Sequence, residues 1–106
     1  MVLDQKMAAT ALSALGHEAR LDIYRLLVRA GEDGLNVGDI GMHLGRPAST
    51  LAHHLSALSR AGLVIQGRQG REVINRADFG QMRLLVGYLS DECCAGVVNL
   101  TNNNVA

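Results

Sequence analysis

DIGMHLGRPASTLAHHLSALSRAGLV, residues 39–64, decides how this chain folds. Val37, Ile40 and Leu44 recur at helical spacing, Asn36 can cap the helix they imply, and Gly45 stops it. Proline is tolerated only in the first turn of a helix, so Pro47 marks a second start. Leu51, Leu55 and Leu58 give that second helix an apolar stripe. Two helices therefore meet across a turn of about three residues, the pattern of a helix-turn-helix.

Upstream, DQKMAATALSAL (4–15) is rich in helix formers and ends at Gly16. HEARLDIYRLLVRA (17–30) predicts a second helix, with Leu21, Tyr24, Leu27 and Val28 as its apolar positions and Gly31 closing it. GEDG (31–34) reads as a turn. Downstream of Gly62, LVIQ and REVINR are β-branched runs around the turn GRQG (67–70), which predicts a β-hairpin. A final helix opens at Asp78 and runs through FGQMRLLVGYLSDECC (79–94), with Phe79, Met82, Leu85, Val86 and Leu89 apolar and Gly96 ending it. The expected fold is mainly α with a small β element (α+β), in the order helix, helix, helix, helix, hairpin, helix. One domain covers 1–96, and 97–106 reads as a flexible, asparagine-rich tail.

At 106 residues the chain fits a single domain with a modest core, which a second copy would enlarge. Its 48% hydrophobic and 19% charged residues exclude a disordered class. No apolar run approaches the roughly 18–20 residues of a membrane span, and Met1–Leu15 lacks the layout of a signal peptide, so a cytoplasmic protein is expected. Thiols stay reduced there, and the only cysteines, Cys93 and Cys94, read as a reactive or metal-binding pair rather than a disulfide. No glycine-rich nucleotide fingerprint or catalytic constellation is present, so neither an enzyme nor a required cofactor is expected.

The formal net charge is zero, but its distribution is uneven: residues 43–76 carry five basic and one acidic side chain, and both flanking segments are net acidic. Nine of the ten basic residues are arginine, whose planar fork suits phosphate or guanine contacts. A reading helix presents short polar side chains from its first turns to the major groove. Arg46, Ser49, Thr50 and His53 have that character, and Arg68, Gln69 and Arg71 decorate the hairpin, which together predict binding of duplex DNA. Ser49 and Thr50 taken alone read equally well as caps or solvated positions. His54 is assigned to packing, and the spacing of His17, His43, His53 and His54 matches no standard metal-ligand set. A winged-helix interaction module without a DNA role remains a second reading, with the neutral net charge as its support.

ALGHEARLDIYRLL, DIGMHLGRPASTLAHHLSALSRAGLV and QGRQGREVINR resemble the ArsR/SmtB family of bacterial metal-responsive repressors over residues 5–92 or so. The resemblance implies a winged helix-turn-helix that forms a homodimer through its first and last helices, binds palindromic operators and releases them when an inducer binds. Two family sensor sites are not matched: GLNVGDI carries no thiol, and in the last helix only Asp78 fits the zinc set, with no histidine after His54. DECCAG resembles arsenic-responsive members with adjacent cysteines at the end of the last helix. That implies Cys93 and Cys94 as the metal site and a trivalent arsenical as inducer. With two thiols and no third cysteine, a methylated or organic arsenical fits, as does arsenite with an exogenous thiol. Oxidation or persulfide formation at the same pair is the alternative input. Consecutive helical residues point about 100° apart, so both sulfurs can share one ligand only if the helix ends near Cys93.

Overall fold

Three side-chain caps set where helices begin. The Asp4 carboxylate accepts the Met7 N–H at 2.8 Å and opens α1 (Gln5–Leu15); Asn36 Oδ1 accepts the Asp39 N–H at 2.8 Å and opens α3 (Val37–Leu44). Asp78 Oδ1 accepts the Gln81 N–H at 3.1 Å and opens α5 (Phe79–Ser90). Between them lie α2 (Glu18–Ala30), α4 (Ala48–Arg60) and an antiparallel hairpin of β1 (Val64–Gln69) and β2 (Glu72–Ala77). This computed structural model describes residues 3–98. Its architecture is the expected winged helix-turn-helix, with α3 and α4 as the helix pair and the hairpin as the wing.

The core sits where α1, α2 and α4 converge. The buried side chains of α1 are all small, Ala8, Ala11 and Ala14, which lets its backbone come close. Ile23 and Leu27 of α2, Ile40 of α3, and Leu51 and Leu58 of α4 are completely buried. Each stabilises the fold by about 1.5–3 kcal/mol on transfer grounds. The expected stripe on α2 is displaced: Ala19, Ile23, Leu26 and Leu27 join Tyr24 in the interior, while Leu21 is 44% exposed and Val28 only half-buried. Leu21 and Val28, seven residues apart, share a second face that lines a surface groove with Met82 and Val86 of α5.

GEDG is more than a turn, because Gly31–Asp33 wind into a 3-10 helix and Leu35 then pairs with the wing. The Leu35 N–H donates to the Asn75 carbonyl at 2.9 Å, and the Asn75 N–H returns a bond to the Leu35 carbonyl at 2.8 Å. Gly34 makes this approach possible: it has φ +65°, and a Cβ there would lie 2.4 Å from the Asn75 carbonyl oxygen.

The hairpin turn is shorter than GRQG. Strand pairing continues to Gln69↔Glu72, so Gly67, Arg68 and Gln69 belong to β1 and the loop is Gly70 and Arg71 alone. Two-residue loops require positive φ, which Gly70 supplies at +65°.

The last helix also ends early, at Ser90 rather than Cys94. The Ser90 hydroxyl donates back to the Val86 carbonyl at 2.9 Å, and Asp91 and Glu92 would oppose the negative end of the helix dipole. Glu92 and Cys94 take φ values of +58° and +62°, outside any right-handed helix. Val97 and Val98 are exposed without regular structure, and residues 99–106 of the expected tail lie outside the described residues.

Candidate DNA interface and thiol turn

Gly45, Arg46 and Pro47 are the three residues between α3 and α4. Gly45 closes α3 in the left-handed conformation, with its N–H on the Gly41 carbonyl at 2.7 Å, and Pro47 leads into α4 with an extended backbone. Gly41 is needed beneath this turn, since a Cβ there would sit 3.0 Å from the Arg46 carbonyl oxygen. Ser49 and Thr50 emerge exposed in the first turn of α4, and His53 is exposed one turn on. The opposite face carries the buried Leu51, His54, Leu55 and Leu58.

Arg46 behaves differently from its neighbours. Its side chain is 36% exposed and leans toward α2, where Nη2 lies 3.8 Å from Asp22 Oδ2. Its Nε is buried without a hydrogen-bond partner. Arg68, Gln69 and Arg71 are exposed at the far end of the wing, the first two on β1 and the third in the loop. An open groove of about 780 Å3 runs between the start of α4 and the wing, with Ser49 and Ser56 on one side and Gln66, Arg71 and Asn75 on the other.

Polar contacts that sequence reasoning missed hold the wing against the segment between α2 and α3. Asn75 is 2% exposed; its Nδ2 donates to the Leu35 carbonyl at 3.2 Å and its Oδ1 accepts from Gln66 Nε2 at 2.8 Å. Asn36 Nδ2 donates to Glu72 Oε1 at 2.7 Å, and Arg76 Nη1 to Glu32 Oε2 at 3.1 Å. One asparagine inside the β-branched run REVINR was the available signal, because a buried amide needs partners.

His54 is buried, as its assignment to packing requires. Nδ1 accepts from Arg20 Nε at 3.2 Å, and the ring lies 4.8 Å from that of His17 and 5.6 Å from that of His53. Burial, followed by the charges of His17, Arg20, His53 and Arg46, pushes the His54 imidazole below its ordinary value and keeps it neutral. The three rings pack without forming a ligand set: among the described residues no group of three or more His, Cys, Asp or Glu side chains could hold a metal ion.

Cys93 and Cys94 are both exposed, in the turn that follows α5. Their Sγ atoms are 3.3 Å apart. The early end of α5 thus removes the divergence that a helix would impose on adjacent side chains. Among the described residues, no helix is long and apolar enough to cross a membrane.

Residues 15–66, which contain α2, α3 and α4, match the family model of a helix-turn-helix domain. The chain is similar to an ArsR-like transcriptional regulator from Rhodococcus sp. RHA1, with 27% identity and a TM-score of 0.71 over 80% of this chain and 77% of that one. It is similar to the homodimeric winged helix-turn-helix DNA-binding domain of Mb0332 from Mycobacterium bovis, a possible ArsR-family regulator, with 28% identity and a TM-score of 0.64 over 84% and 82%. HlyU from Vibrio cholerae N16961 aligns with 26% identity and a TM-score of 0.68 over 89% and 99%. No curated protein matches the sequence significantly. Fold, helix pair and wing define a winged helix-turn-helix protein. Its similarity in sequence and fold is to ArsR-family winged helix-turn-helix transcriptional regulators.

Proposed function

We propose that two copies of this chain bind palindromic operator DNA and repress transcription until a trivalent arsenical engages Cys93 and Cys94. The observation that carries the DNA reading is the groove flanked by Ser49 and Arg71, in a net basic segment of an otherwise neutral chain. Ser49, Thr50 and His53 reach base edges or phosphates, and Arg68, Gln69 and Arg71 grip the flanking backbone. Arg46 serves the turn through Asp22 while remaining able to meet a phosphate.

Dimerisation is supported by apolar side chains left outside the core on the first and last helices, Leu12 at 41% exposed and Val86 and Leu89 each at 60%. The similar Mb0332 domain is itself homodimeric. A two-fold dimer sets its two reading helices about 34 Å apart, one turn of duplex. In the reducing cytoplasm, where such a regulator meets its DNA, both thiols are available. Two soft sulfurs side by side suit a methylated or organic arsenical, whose carbon substituent takes the third position, or arsenite completed by an exogenous thiol. Binding in the turn after α5 reorders the end of the dimer helix and changes the spacing of the half-site readers. A coupling of about 1–3 kcal/mol weakens DNA binding about 5- to 150-fold.

Fluorescence anisotropy on duplex DNA from upstream of the chain's own gene tests this reading, with arsenite and then a methylated trivalent arsenical as titrants. Salt-dependent binding released by either arsenical is the expected result. Release by peroxide or persulfide alone would transfer the input to thiol oxidation, and absence of binding at low ionic strength would leave a protein-interaction module.

A further inference from the structure

We propose that Arg20 and His54 are positioning residues for the reading face: the Arg20 side chain grips the buried His54 ring and so fixes the rotation at which α4 presents Ser49, Thr50 and His53. The inference rests on the DNA-binding reading above and adds residues that do not touch the DNA. The grip is the 3.2 Å bond from Arg20 Nε to His54 Nδ1, which joins α2 to α4 across 34 residues of sequence. It lies immediately behind the reading face, because His53 and His54 are consecutive and one points out as the other points in.

The bond dictates the state of the ring. Nδ1 can accept only if it carries no proton, so the neutral tautomer with its proton on Nε2 is the one that fits. Protonation of Nδ1 would set an N–H against the Arg20 N–H and break the grip. The groups around the ring all act in the same direction: His17 and Arg20 at the start of α2, Arg46 from the turn, and His53 on α4 itself are cationic or can become so. No carboxylate is among the charges that act on the ring, and Asp22 on α2 faces Arg46 at 3.8 Å. A proton on His54 therefore enters a site with no counter-charge to receive it. The seated arrangement holds the imidazole below the ordinary value and an unseated ring titrates near about 6.5, so acid favours unseating. At about one pH unit below that value the seated state loses at most about tenfold in population, and apparent DNA affinity falls with it.

The test compares wild type, His54→Asn and Arg20→Ala on the upstream duplex between about pH 7.5 and about pH 5.5, by anisotropy at several salt concentrations. Asparagine offers an amide oxygen close to where Nδ1 lies but cannot be protonated. Taking the ratio of variant to wild-type affinity cancels pH effects common to all three proteins. The His54→Asn to wild-type ratio should rise on acidification, by up to about tenfold. Arg20→Ala should weaken binding by about tenfold at neutral pH, the scale of one hydrogen bond to a charged donor, with an unchanged salt slope. A flat ratio overturns the proposal. So does an Arg20→Ala slope reduced by about one, which would make Arg20 a phosphate contact. Should His54→Asn fail to fold, Arg20→Ala carries the test alone, since losing the donor must also reduce the pH dependence. If wild type binds no duplex at any pH, it is the DNA reading that fails. Melting temperatures then still judge the grip, because wild type should lose stability relative to His54→Asn as pH falls, and parallel curves would refute it.

Discussion

Asn36 joins the start of α3 to the wing: while its Oδ1 caps the helix at the Asp39 N–H, its Nδ2 holds Glu72 Oε1 at 2.7 Å. One side chain therefore fixes both the entry of the helix pair and the height of the hairpin over the groove. Glu72 is also the one acidic residue in 43–76, next in sequence to Arg71.

Glu72→Gln keeps an acceptor for Asn36 and removes a negative charge from the face proposed to meet DNA. Duplex affinity should rise about two- to fivefold at low salt, with the gain shrinking as salt is added. Glu72→Ala removes the same charge but frees the tip, and should gain less. Anisotropy across a salt series reads both, and equal gains would show that the Asn36 bond does not position the wing.

Gly34→Ala should destabilise the fold by about 2–4 kcal/mol, because positive φ and the Asn75 carbonyl both oppose a Cβ there. Gly67→Ala is the control, with nothing within 4 Å of its Cβ and no positive φ. It should be neutral or stabilise by up to about 1 kcal/mol. Urea unfolding of the two variants decides the matter.

Leu89→Asp places a charge at a position 60% exposed, so the monomer core should survive. If α5 forms the dimer interface, the variant should sediment as a folded monomer at concentrations where wild type is dimeric. A persistent dimer would move the interface away from α5.

Replacing Cys93 and Cys94 together with serine should leave operator affinity within about twofold of wild type and abolish release by arsenicals, since hydroxyls are poor ligands for a soft metalloid. Each single replacement should raise the half-effective arsenical concentration by about tenfold or more, if both sulfurs bind one ligand. Induction retained in the double variant would refute the thiol assignment.

Much of the fold was legible because its punctuation is local. Asp4, Asn36 and Asp78 cap, Gly45 and Pro47 break, and Leu51, Leu55 and Leu58 mark a buried face, all within single turns of chain. What escaped depends on partners distant in sequence. The α2 stripe was misjudged because Leu21 and Val28 are as apolar as Ile23 and Leu27, and only the placement of α4 and α5 decides which pair goes inside. The bridge from Leu35 to Asn75, the grip of Arg20 on His54 and the Asn36–Glu72 bond each need three-dimensional proximity that no periodicity announces. The end of α5 was missed because YLSDECC contains no glycine or proline, and the stop comes from Ser90 and two carboxylates at the wrong end of a dipole. Of the candidate site, Ser49, Thr50, His53, Arg68, Gln69 and Arg71 stand exposed where the pattern put them, whereas Arg46 is drawn partly inward by Asp22.

The bonds between Leu35 and Asn75 have a consequence for the order in which the molecule becomes competent. They close a loop of 40 residues that encloses the entire helix pair. On a ribosome, α4 can wind before Asn75 has emerged, so the wing acquires its brace only after the helix pair is already out. A copy that stops short of this clasp would carry α4 without a braced wing beside it.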